Sequence, residues 1–588
     1  MVRERERDPK SINSINKREE RKALKQNDIT KNWLIPSFIR FILISLSLSL
    51  NFSTQNNNKK KRENMTETNT YILCFIFCFI STLLLQYFFH RAKTTKPSSS
   101  LRRLPPSPPS IPLLGHLHLL SPSLHKSFTA LSSKFGPLLC LQLGAVRCIV
   151  VSSASLATEV FKTQDLAFSS RPKFAFSDET PYGSSGFFAA PYGDYWRFMK
   201  KLTMTELLAP KQVERSRVVR YEEVLRFLRK MVAAANDNQL VDVGAELMKL
   251  TNNSICRMMM SIRCADDSDE SEKIRQLVKD TMEVGAKVAF GDVVGWPLKR
   301  VAFWVYGKQA IDVTMRYDAI LEKALKQHEE RGKVEGFDRD DRDLMDIILK
   351  VHQDSQAEFK ITRTNVKAFL LDLFVGGTGT STEVMQWIIA ELINHPKELK
   401  KLREEILSVV GDSRLVQETD VPHMPYLQAV VKEGLRMYPA VPVAMRSCPQ
   451  SCKINGYDIP ENTMVGVNLF AIMRDPNSWE DPNEFRPERF ISPAKESDGG
   501  MKQIQYEIKG QNFNFVPFGG GRRGCPGSTL AFTTSTVVIA AMVQCFDWKV
   551  DGKEEKKANM EIGSGLGLPM AHPLNCVPVV KFNPFASN

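Results

Sequence analysis

The strongest constraint on the fold is a glycine-rich segment, Phe513–Gly527, that contains one cysteine, Cys525. Glycines let a backbone approach a flat ligand closely. Small residues follow and indicate the start of a helix, and the amide groups of such a loop and helix terminus favour a cysteine thiolate. Arg523 is placed to pair with an anionic group of the ligand. The segment therefore predicts a thiolate presented to a flat, anionic cofactor; a buried structural cysteine is the alternative.

The spacing within this segment carries a family resemblance. Phe518, Gly521, Arg523, Cys525 and Gly527 resemble the haem-binding loop of cytochrome P450 monooxygenases. The resemblance implies that Cys525 is the axial thiolate of a haem b iron, which favours cleavage of the O–O bond. It also implies that Arg523 meets a haem propionate. The resemblance covers about residues 104–588 and implies the cytochrome P450 fold.

The remaining sequence predicts a mainly α fold with a smaller β subdomain. Helical signals dominate from about residue 152 to 439, and the stretch 397–410 has apolar residues at helical spacing. Short strand patterns occur at 138–151 and 464–467. The charged stretch 331–343 is typical of a surface linker. A composition of 43% hydrophobic and 25% charged residues excludes a disordered chain and a polytopic transporter.

The net charge of +13 is unevenly distributed. Residues 1–64 hold 15 Lys and Arg against 7 Asp and Glu, which leaves +5 on the other 524 residues. The basic excess therefore belongs to a leader, and we expect no nucleic-acid partner. This leader resembles translated untranslated sequence, with Met65 as the native start. A targeting extension for an organelle is the alternative.

The segment Tyr71–Phe89 predicts one N-terminal transmembrane helix. Its 19 residues carry no charge and would reach about 28 Å, close to one bilayer core. Basic residues follow, which keeps the following chain cytosolic. We therefore expect a signal anchor over 65–90 in the endoplasmic reticulum membrane, a basic and Pro-rich linker over 91–112, and a haem-thiolate catalytic domain over 113–588. A cleaved signal peptide is the alternative, but no small-residue cleavage site follows.

A glycine-rich stretch within a predicted helix resembles the family's oxygen-activation motif. Gly376, Gly377, Thr380 and Ser381 match, whereas Gly379 replaces the usual acidic residue. The resemblance implies that Thr380 and Ser381 are catalytic and take part in proton delivery. Without the acid at position 379, delivery must use Thr380, Ser381, Glu383 or water. A hinged helix without chemistry is the alternative.

Other motifs follow in the family's order. Glu433 and Arg436 resemble a conserved helix pair that joins Arg489 in a buried structural network; a solvated surface pair is the alternative. The resemblance also implies further cofactor-binding residues around the propionates. These are Trp196, Lys200 and Arg446. Lysine stands where the family often has arginine, and a lysine offers a point charge instead of a fork. Core packing is the alternative for Trp196.

The segments Phe168–Pro172 and Tyr192–Arg197 resemble the plant A-type group, which includes flavonoid-modifying enzymes and some terpenoid oxidases. By position, the substrate pocket is predicted to be almost wholly apolar, which favours a lipophilic substrate. Its predicted residues are Phe187, Phe188, Phe374, Val375, Val441, Val443, Ala444 and Leu566–Leu568. Each has core packing as the alternative.

The chain has no convincing flavin or nicotinamide loop, so electrons must come from a partner. The resemblance implies a membrane-bound NADPH–cytochrome P450 reductase that docks on basic residues. The predicted patch comprises Arg197, Lys200, Lys201 and Arg522. The sequence thus predicts a microsomal haem-thiolate monooxygenase that hydroxylates a lipophilic plant metabolite, either a terpenoid or triterpenoid or a flavonoid. The alternatives are an oxygen-independent haem-thiolate isomerase or dehydratase, and a non-enzymatic haem-binding protein.

Overall fold

A computed structural model describes most of the chain after residue 102. The described ranges are 103–112, 114–121, 123–173, 179–263, 303–337, 342–491, 512–553, 556–565 and 567–586, with a few single positions. The chain divides into two compact units, residues 1–97 and 98–588. In the first unit only Cys74 and Ser81 are described, both in helical conformation. The predicted leader and nearly all of the predicted anchor therefore lie outside the described residues.

Helices form most of the second unit. In the described residues the α-helices are α1 (Leu124–Phe135), α2 (Ala154–Thr158), α3 (Asp194–Leu202), α4 (Pro210–Arg215), α5 (Arg217–Asn236), α6 (Val243–Met260), α7 (Lys308–Glu335), α8 (Leu344–Gln353), α9 (Arg363–Asn394), α10 (Pro396–Val410), α11 (Pro425–Met437), α12 (Leu469–Ile472) and α13 (Ser528–Cys545). Single π-helical turns are Glu159–Thr163, Thr203–Leu207 and Phe303–Gly307, and 3-10 turns are Leu117–Leu119, Glu418–His423 and Pro487–Phe490.

The β part is smaller and consists of three sheets. Its strands are β1 (Leu138–Leu143), β2 (Val146–Val151), β3 (Val241–Asp242), β4 (Val443–Cys448), β5 (Cys452–Ile454), β6 (Tyr457–Ile459), β7 (Thr463–Asn468), β8 (Phe546–Val550) and β9 (Asn575–Val580). The main sheet has the order β1-β2-β7-β4, with β2 and β7 parallel. In the antiparallel pair β4–β7, Arg446 lies opposite Val465. The prediction of a mainly α fold with a smaller β part is confirmed.

Helix α9 is the longest described helix and runs through the core. It begins with a capping box, in which Thr362 Oγ1 accepts the N–H of Asn365 at 3.2 Å and Asn365 Oδ1 accepts the N–H of Thr362 at 3.0 Å. It ends at Asn394, because Pro396 cannot continue it. It packs against α6, α11 and α13. The helix is continuous through its glycines.

Helix α13 follows directly from the cysteine loop. Among the described residues it is the one helix long and apolar enough to cross a membrane, but 72% of it is buried inside the fold. It is therefore a core helix, and its packing against α9 and α11 fixes the loop that precedes it. The predicted surface linker at 331–343 is wrong in part, because α7 continues to Glu335 and Asp343 is a buried N-cap of α8.

Candidate active site

The cysteine loop is held by its own backbone. Cys525 donates its N–H to Phe518 O at 3.0 Å, and Gly524 donates to Gly521 O at 2.9 Å. Gly519 and Gly521 have φ values of +68° and +67°, a region that favours glycine. A Cβ on Gly521 would come within 2.6 Å of Phe161 O. The glycines therefore allow both the turn and its close approach to the neighbouring helix.

Cys525 keeps accessible surface although protein surrounds it. Burial raises the pKa of its thiol, while a backbone hydrogen bond from Gly527 and the charge of Lys200 act in the opposite direction. The expected stabilisation by loop amides is therefore present but outweighed by burial. A bound metal ion is what keeps such a thiol deprotonated.

Three guanidinium groups from distant parts of the chain converge beside this loop. Arg446 and Arg523 are buried. Burial is the main cause that lowers the pKa of all three arginines, to about 9 for Arg523 and to about 10 for Arg171. Repulsion from neighbouring arginines also lowers the pKa values of Arg446 and Arg523. In the described part of the chain, no carboxylate forms a salt bridge with any of the three. Such a cluster requires anions, and a cofactor with two carboxylates would supply them.

Arg523 is anchored by backbone carbonyls. Its Nε donates to Ser169 O at 2.6 Å and its second terminal nitrogen donates to Ala190 O at 2.5 Å. Arg171 donates to Met445 O at 2.6 Å, while its Nε is buried without a hydrogen-bond partner. Arg171 lies within the segment Phe168–Pro172 but was given no role from the sequence. Its place in a motif that resembles the family was the available signal.

Trp196 lies against the same cluster. Its ring is 3% exposed, the Arg523 guanidinium is 4.4 Å from its centroid, and Phe187 stacks on it at 5.7 Å. The indole Nε1 is buried and has no hydrogen-bond partner. Trp196 therefore packs in the interior and also keeps a donor without a partner. That donor, the uncompensated cations and Cys525 fit a haem with two propionates.

Lys200 lies next to the cysteine loop. Its Nζ donates to Gly524 O at 3.2 Å, and burial lowers the pKa of the amine. Arg446 donates to Gly520 O at 3.4 Å and so contacts the loop as well. The propionate-binding residues predicted from sequence thus converge with the cysteine loop.

On α9, the motif residues face in several directions. A Cβ on Gly376 would meet no atom within 4 Å, whereas one on Gly377 would come within 2.8 Å of Ile255 Cδ1 on α6. Thr380 Oγ1 donates to Gly376 O at 2.8 Å. Ser381 is buried. The open space is therefore on the side of Gly376 and Thr380, which are four residues apart and share a helix face.

The predicted pocket residues differ in how much of their surface is exposed. Phe188 and Val441 are 51% and 50% exposed. Phe187, Val375 and Val443 are partly buried, and Ala444 is a core residue. Phe374 is 5% exposed and packs edge-on against Tyr317 at 5.4 Å, which agrees with the core-packing alternative. It lies two residues before Gly376 and therefore on nearly the opposite helix face. Leu566 lies outside the described residues, and Leu568 is buried.

The structural network is compact and separate from the cysteine loop. Glu433 and Arg436 have no exposed surface, and Arg436 contacts both carboxylate oxygens at 2.7 and 2.8 Å. Arg489 Nε lies 3.2 Å from Glu433 Oε1. Arg436 also donates to Met473 O at 2.9 Å and Pro482 O at 2.8 Å. The three side chains thus tie α11 to the segment around 473–490.

The predicted basic patch is mostly paired with acids. Arg197 pairs with Asp194, Lys201 with Glu358 at 2.8 Å, and Arg522 with Asp165 at 2.6 Å. The pairs of Arg197 and Lys201 are exposed on both sides, so they leave less free positive charge than the sequence suggests. Exposed pairs of this kind are weak and can exchange partners.

The matching family model is Cytochrome P450, over residues 105–575. Cytochrome P450 705A22 of Arabidopsis thaliana is 44% identical over 514 residues, which cover 87% of this chain and 97% of that protein. The 3,9-dihydroxypterocarpan 6A-monooxygenase of Glycine max is 41% identical over 516 residues, or 87% of this chain and 98% of that protein. A solved zebrafish cytochrome P450 has a TM-score of 0.64 at 24% identity and covers 79% of this chain and 100% of that one.

The converging cations and the cysteine loop, on a mainly helical fold, define the class of haem-thiolate proteins. The chain belongs to the cytochrome P450 family. Its plant relatives identify it as a plant cytochrome P450 monooxygenase, and membership implies a haem with thiolate ligation.

Proposed function

We propose that the protein hydroxylates a lipophilic plant secondary metabolite, a terpenoid, triterpenoid or flavonoid, with O2 and electrons from NADPH. One observation carries the proposal. The loop around Phe187 and Phe188 joins the two halves of the site, since its carbonyls accept from Arg523 at 3.4 and 3.5 Å and the N–H of Phe188 bonds Asp372 of α9 at 2.9 Å. The cysteine loop and the Thr380 face of α9 thus share one wall.

In this proposal Cys525 ligates the haem iron, and four groups hold the propionates. These are Arg523, Arg446, Trp196 and Arg171. Phe518, Gly521 and Gly527 shape the loop around the cysteine. When bound, the haem supplies the activation of O2, and the thiolate favours O–O cleavage. Lys200 approaches the same loop from α3 and offers its charge near the thiolate.

Thr380 and Ser381 hold and transfer the proton that oxygen activation consumes. Thr380 is the better placed, because its hydroxyl lies on the open face of α9 and is bound to a carbonyl of its own helix. A hydroxyl that donates to a carbonyl keeps its lone pairs available as acceptors. It can therefore receive a hydrogen bond from water and order that water in the pocket.

The substrate is lipophilic, because the pocket side chains around Phe188 and Val441 are apolar. The name of the Glycine max relative indicates that it acts on a dihydroxypterocarpan. That relative supports a polycyclic substrate over an acyclic one. Polycyclic terpenoids, triterpenoids and flavonoids all fit an apolar pocket.

Electrons come from NADPH through a membrane-bound reductase, which docks near Arg197, Lys201 and Arg522. Residues 71–89 anchor the protein in the endoplasmic reticulum membrane with the catalytic domain in the cytosol. The uncharged length of this segment and its basic flank support the anchor.

Microsomes from cells that express the full chain test the function. We expect a thiolate-type carbon monoxide difference spectrum after reduction, which Cys525→Ala should abolish. Candidate terpenoids and flavonoids are then supplied with NADPH and reductase, and products are identified by mass spectrometry. Products that carry one added oxygen support the proposal. Conversion that proceeds without O2 would instead favour an isomerase or dehydratase.

A further inference from the structure

Helix α9 carries two enclosed carboxyl groups outside the oxygen-activation motif. Asp372 and Glu383 are eleven residues apart, about three helical turns, with Gly376 and Thr380 between them. All four residues therefore share one face of α9. In both carboxyl groups burial is the main cause that raises the pKa, to about 7. In the described residues, neither forms a salt bridge with a cation.

Asp372 binds the loop that precedes α3. Its Oδ2 accepts the N–H of Phe188 at 2.9 Å, and the backbone amide of Phe187 also acts to lower the pKa of the carboxyl group. A Cβ on Gly186 would come within 2.7 Å of the same oxygen. Because Gly186 has no Cβ, the loop comes close to α9, and the backbone amides of Phe187 and Phe188 reach the carboxyl group of Asp372.

Glu383 binds a second loop, near the C-terminus. The backbone amide of Leu568 acts to lower the pKa of the Glu383 carboxyl group, and the indole Nε1 of Trp387, one turn further along α9, donates to Leu568 O at 2.6 Å. Both backbone groups of Leu568 therefore interact with side chains of one helix. A Cβ on Gly567 would come within 2.9 Å of Glu383 Oε2 and 3.1 Å of Ala440 O.

We propose that Asp372 and Glu383 are positioning residues that fasten both loop walls of the substrate pocket to α9, the helix that carries Thr380. The proposal rests on the proposed function in one respect, namely that these loops form the pocket. At the contact points neither loop is part of a helix or strand, although each is closed by a backbone hydrogen bond, from Ala190 N–H to Gly186 O at 3.0 Å and from Gly563 N–H to Pro569 O at 2.8 Å. Each carboxyl group supplies the acceptor that a neighbouring strand would supply in a sheet.

The loop that Asp372 binds also contacts residues of the predicted cofactor site. Phe187 stacks on Trp196, and Arg523 binds the carbonyl of Ala190 at 2.5 Å. The loop is thus held from one side by α9 and from the other by the cysteine loop. A change at Asp372 should therefore move the pocket wall and leave the thiolate ligand in place.

Hydrogen exchange of the haem-loaded full chain, followed by mass spectrometry, tests the proposal directly. In Asp372→Ala we expect peptides that cover 186–190 to exchange about tenfold faster or more, which corresponds to one lost hydrogen bond to a charged acceptor. Peptides that cover 567–570 should be unchanged. In Glu383→Ala the effects should be reversed, so each variant is the matched control for the other.

Conservative variants serve as controls for misfolding of the alanine variants. Asp372→Asn and Glu383→Gln keep an acceptor oxygen and should restore part of the protection, whereas Glu404→Ala, at an exposed position of α10, should change neither loop. Unchanged exchange in both alanine variants overturns the proposal. Equal acceleration of both loops by either variant also overturns it, because that result indicates general loosening.

A second readout separates this proposal from the proposed function. Binding of 1-phenylimidazole, whose nitrogen ligates haem iron while its phenyl ring occupies the pocket, is measured by optical titration. We expect weaker binding in both alanine variants with an unchanged carbon monoxide spectrum. Lost turnover in Glu383→Gln with unchanged exchange and unchanged binding would make Glu383 a proton donor and overturn its positioning role. Absence of the thiolate spectrum from the wild type would refute the proposed function, while the exchange result would still decide the loop contacts.

Discussion

At the residue scale, Gly521 shows how one missing side chain shapes the site. Its φ of +67° and its approach to Phe161 O both exclude a Cβ. We expect Gly521→Ala to lower haem content severely. Gly411→Ala is the matched control, because it has a φ of +78° but nothing within 4 Å, and should cost only about 1–2 kcal/mol of stability. Haem per protein and urea unfolding measure the two effects; equal losses would contradict the steric explanation.

A second residue-scale prediction concerns the pH dependence of stability. Burial raises the pKa of Asp372 from 3.8 to about 7, and Tyr195 is the titratable neighbour whose own pKa this carboxylate raises. The folded state therefore holds the proton more tightly than the unfolded state, so Asp372 costs stability as pH rises from about 4 to about 7. Relative to Asp372→Asn, the wild type should lose thermal stability between pH 5 and 7.5. Parallel melting-temperature curves would contradict this.

At the element scale, the 3-10 turn Pro487–Phe490 depends on a buried charge network. Arg489→Ala would leave part of the charge of Glu433 uncompensated in the interior, which should cost about 3 kcal/mol or more. Arg486, the residue directly before this turn, is the matched control. Its side chain pairs only with exposed Glu480 and Asp481, so Arg486→Ala should cost no more than about 1 kcal/mol. Urea unfolding of both variants measures the difference, and similar losses would refute the network's role.

Helix α9 carries the second element-scale prediction. Gly379 stands where the resemblance implies an acid, so proton delivery must use Thr380, Ser381, Glu383 or water. We expect Gly379→Asp to retain turnover and to reduce the hydrogen peroxide released per NADPH. Gly376→Ala, on the open side of the same helix, is a control for loss of helical glycine, which stabilises the helix by about 1 kcal/mol. An unchanged peroxide yield in Gly379→Asp would contradict this account.

At the scale of the whole molecule, the cation cluster joins three regions that are far apart in sequence. Arg171 and Arg523 repel Arg446, and Arg171 repels Arg523; in the proposed function, haem propionates would compensate these charges. We expect Arg171→Ala to stabilise the haem-free protein and to speed haem release from the loaded protein about tenfold. Melting temperatures of the haem-free and the haem-loaded protein measure whether the substitution stabilises the first and destabilises the second. Equal destabilisation of both forms would assign Arg171 to packing alone.

Helical phase explains which features of α9 could be predicted from the sequence and which could not. The motif around Thr380 is local, so its residues and their spacing could be read directly. Phe374 was predicted by position to line the pocket, yet it lies about 200° of rotation from Gly376. Asp372 and Glu383 lie on the same face as Thr380, and only Glu383 was singled out from sequence. Counting steps of four residues back from Thr380 would have found Asp372.

The sequence by itself determined the class of the fold, the cysteine loop and the residues of the charge network, because these depend on short spacings and on local backbone geometry. The tertiary structure alone decided which surface charges are paired, that Arg171 joins the cation cluster, and that α9 binds both pocket loops. These contacts join residues up to several hundred positions apart. Long-range proximity and the desolvation that accompanies it arise only when the chain has packed.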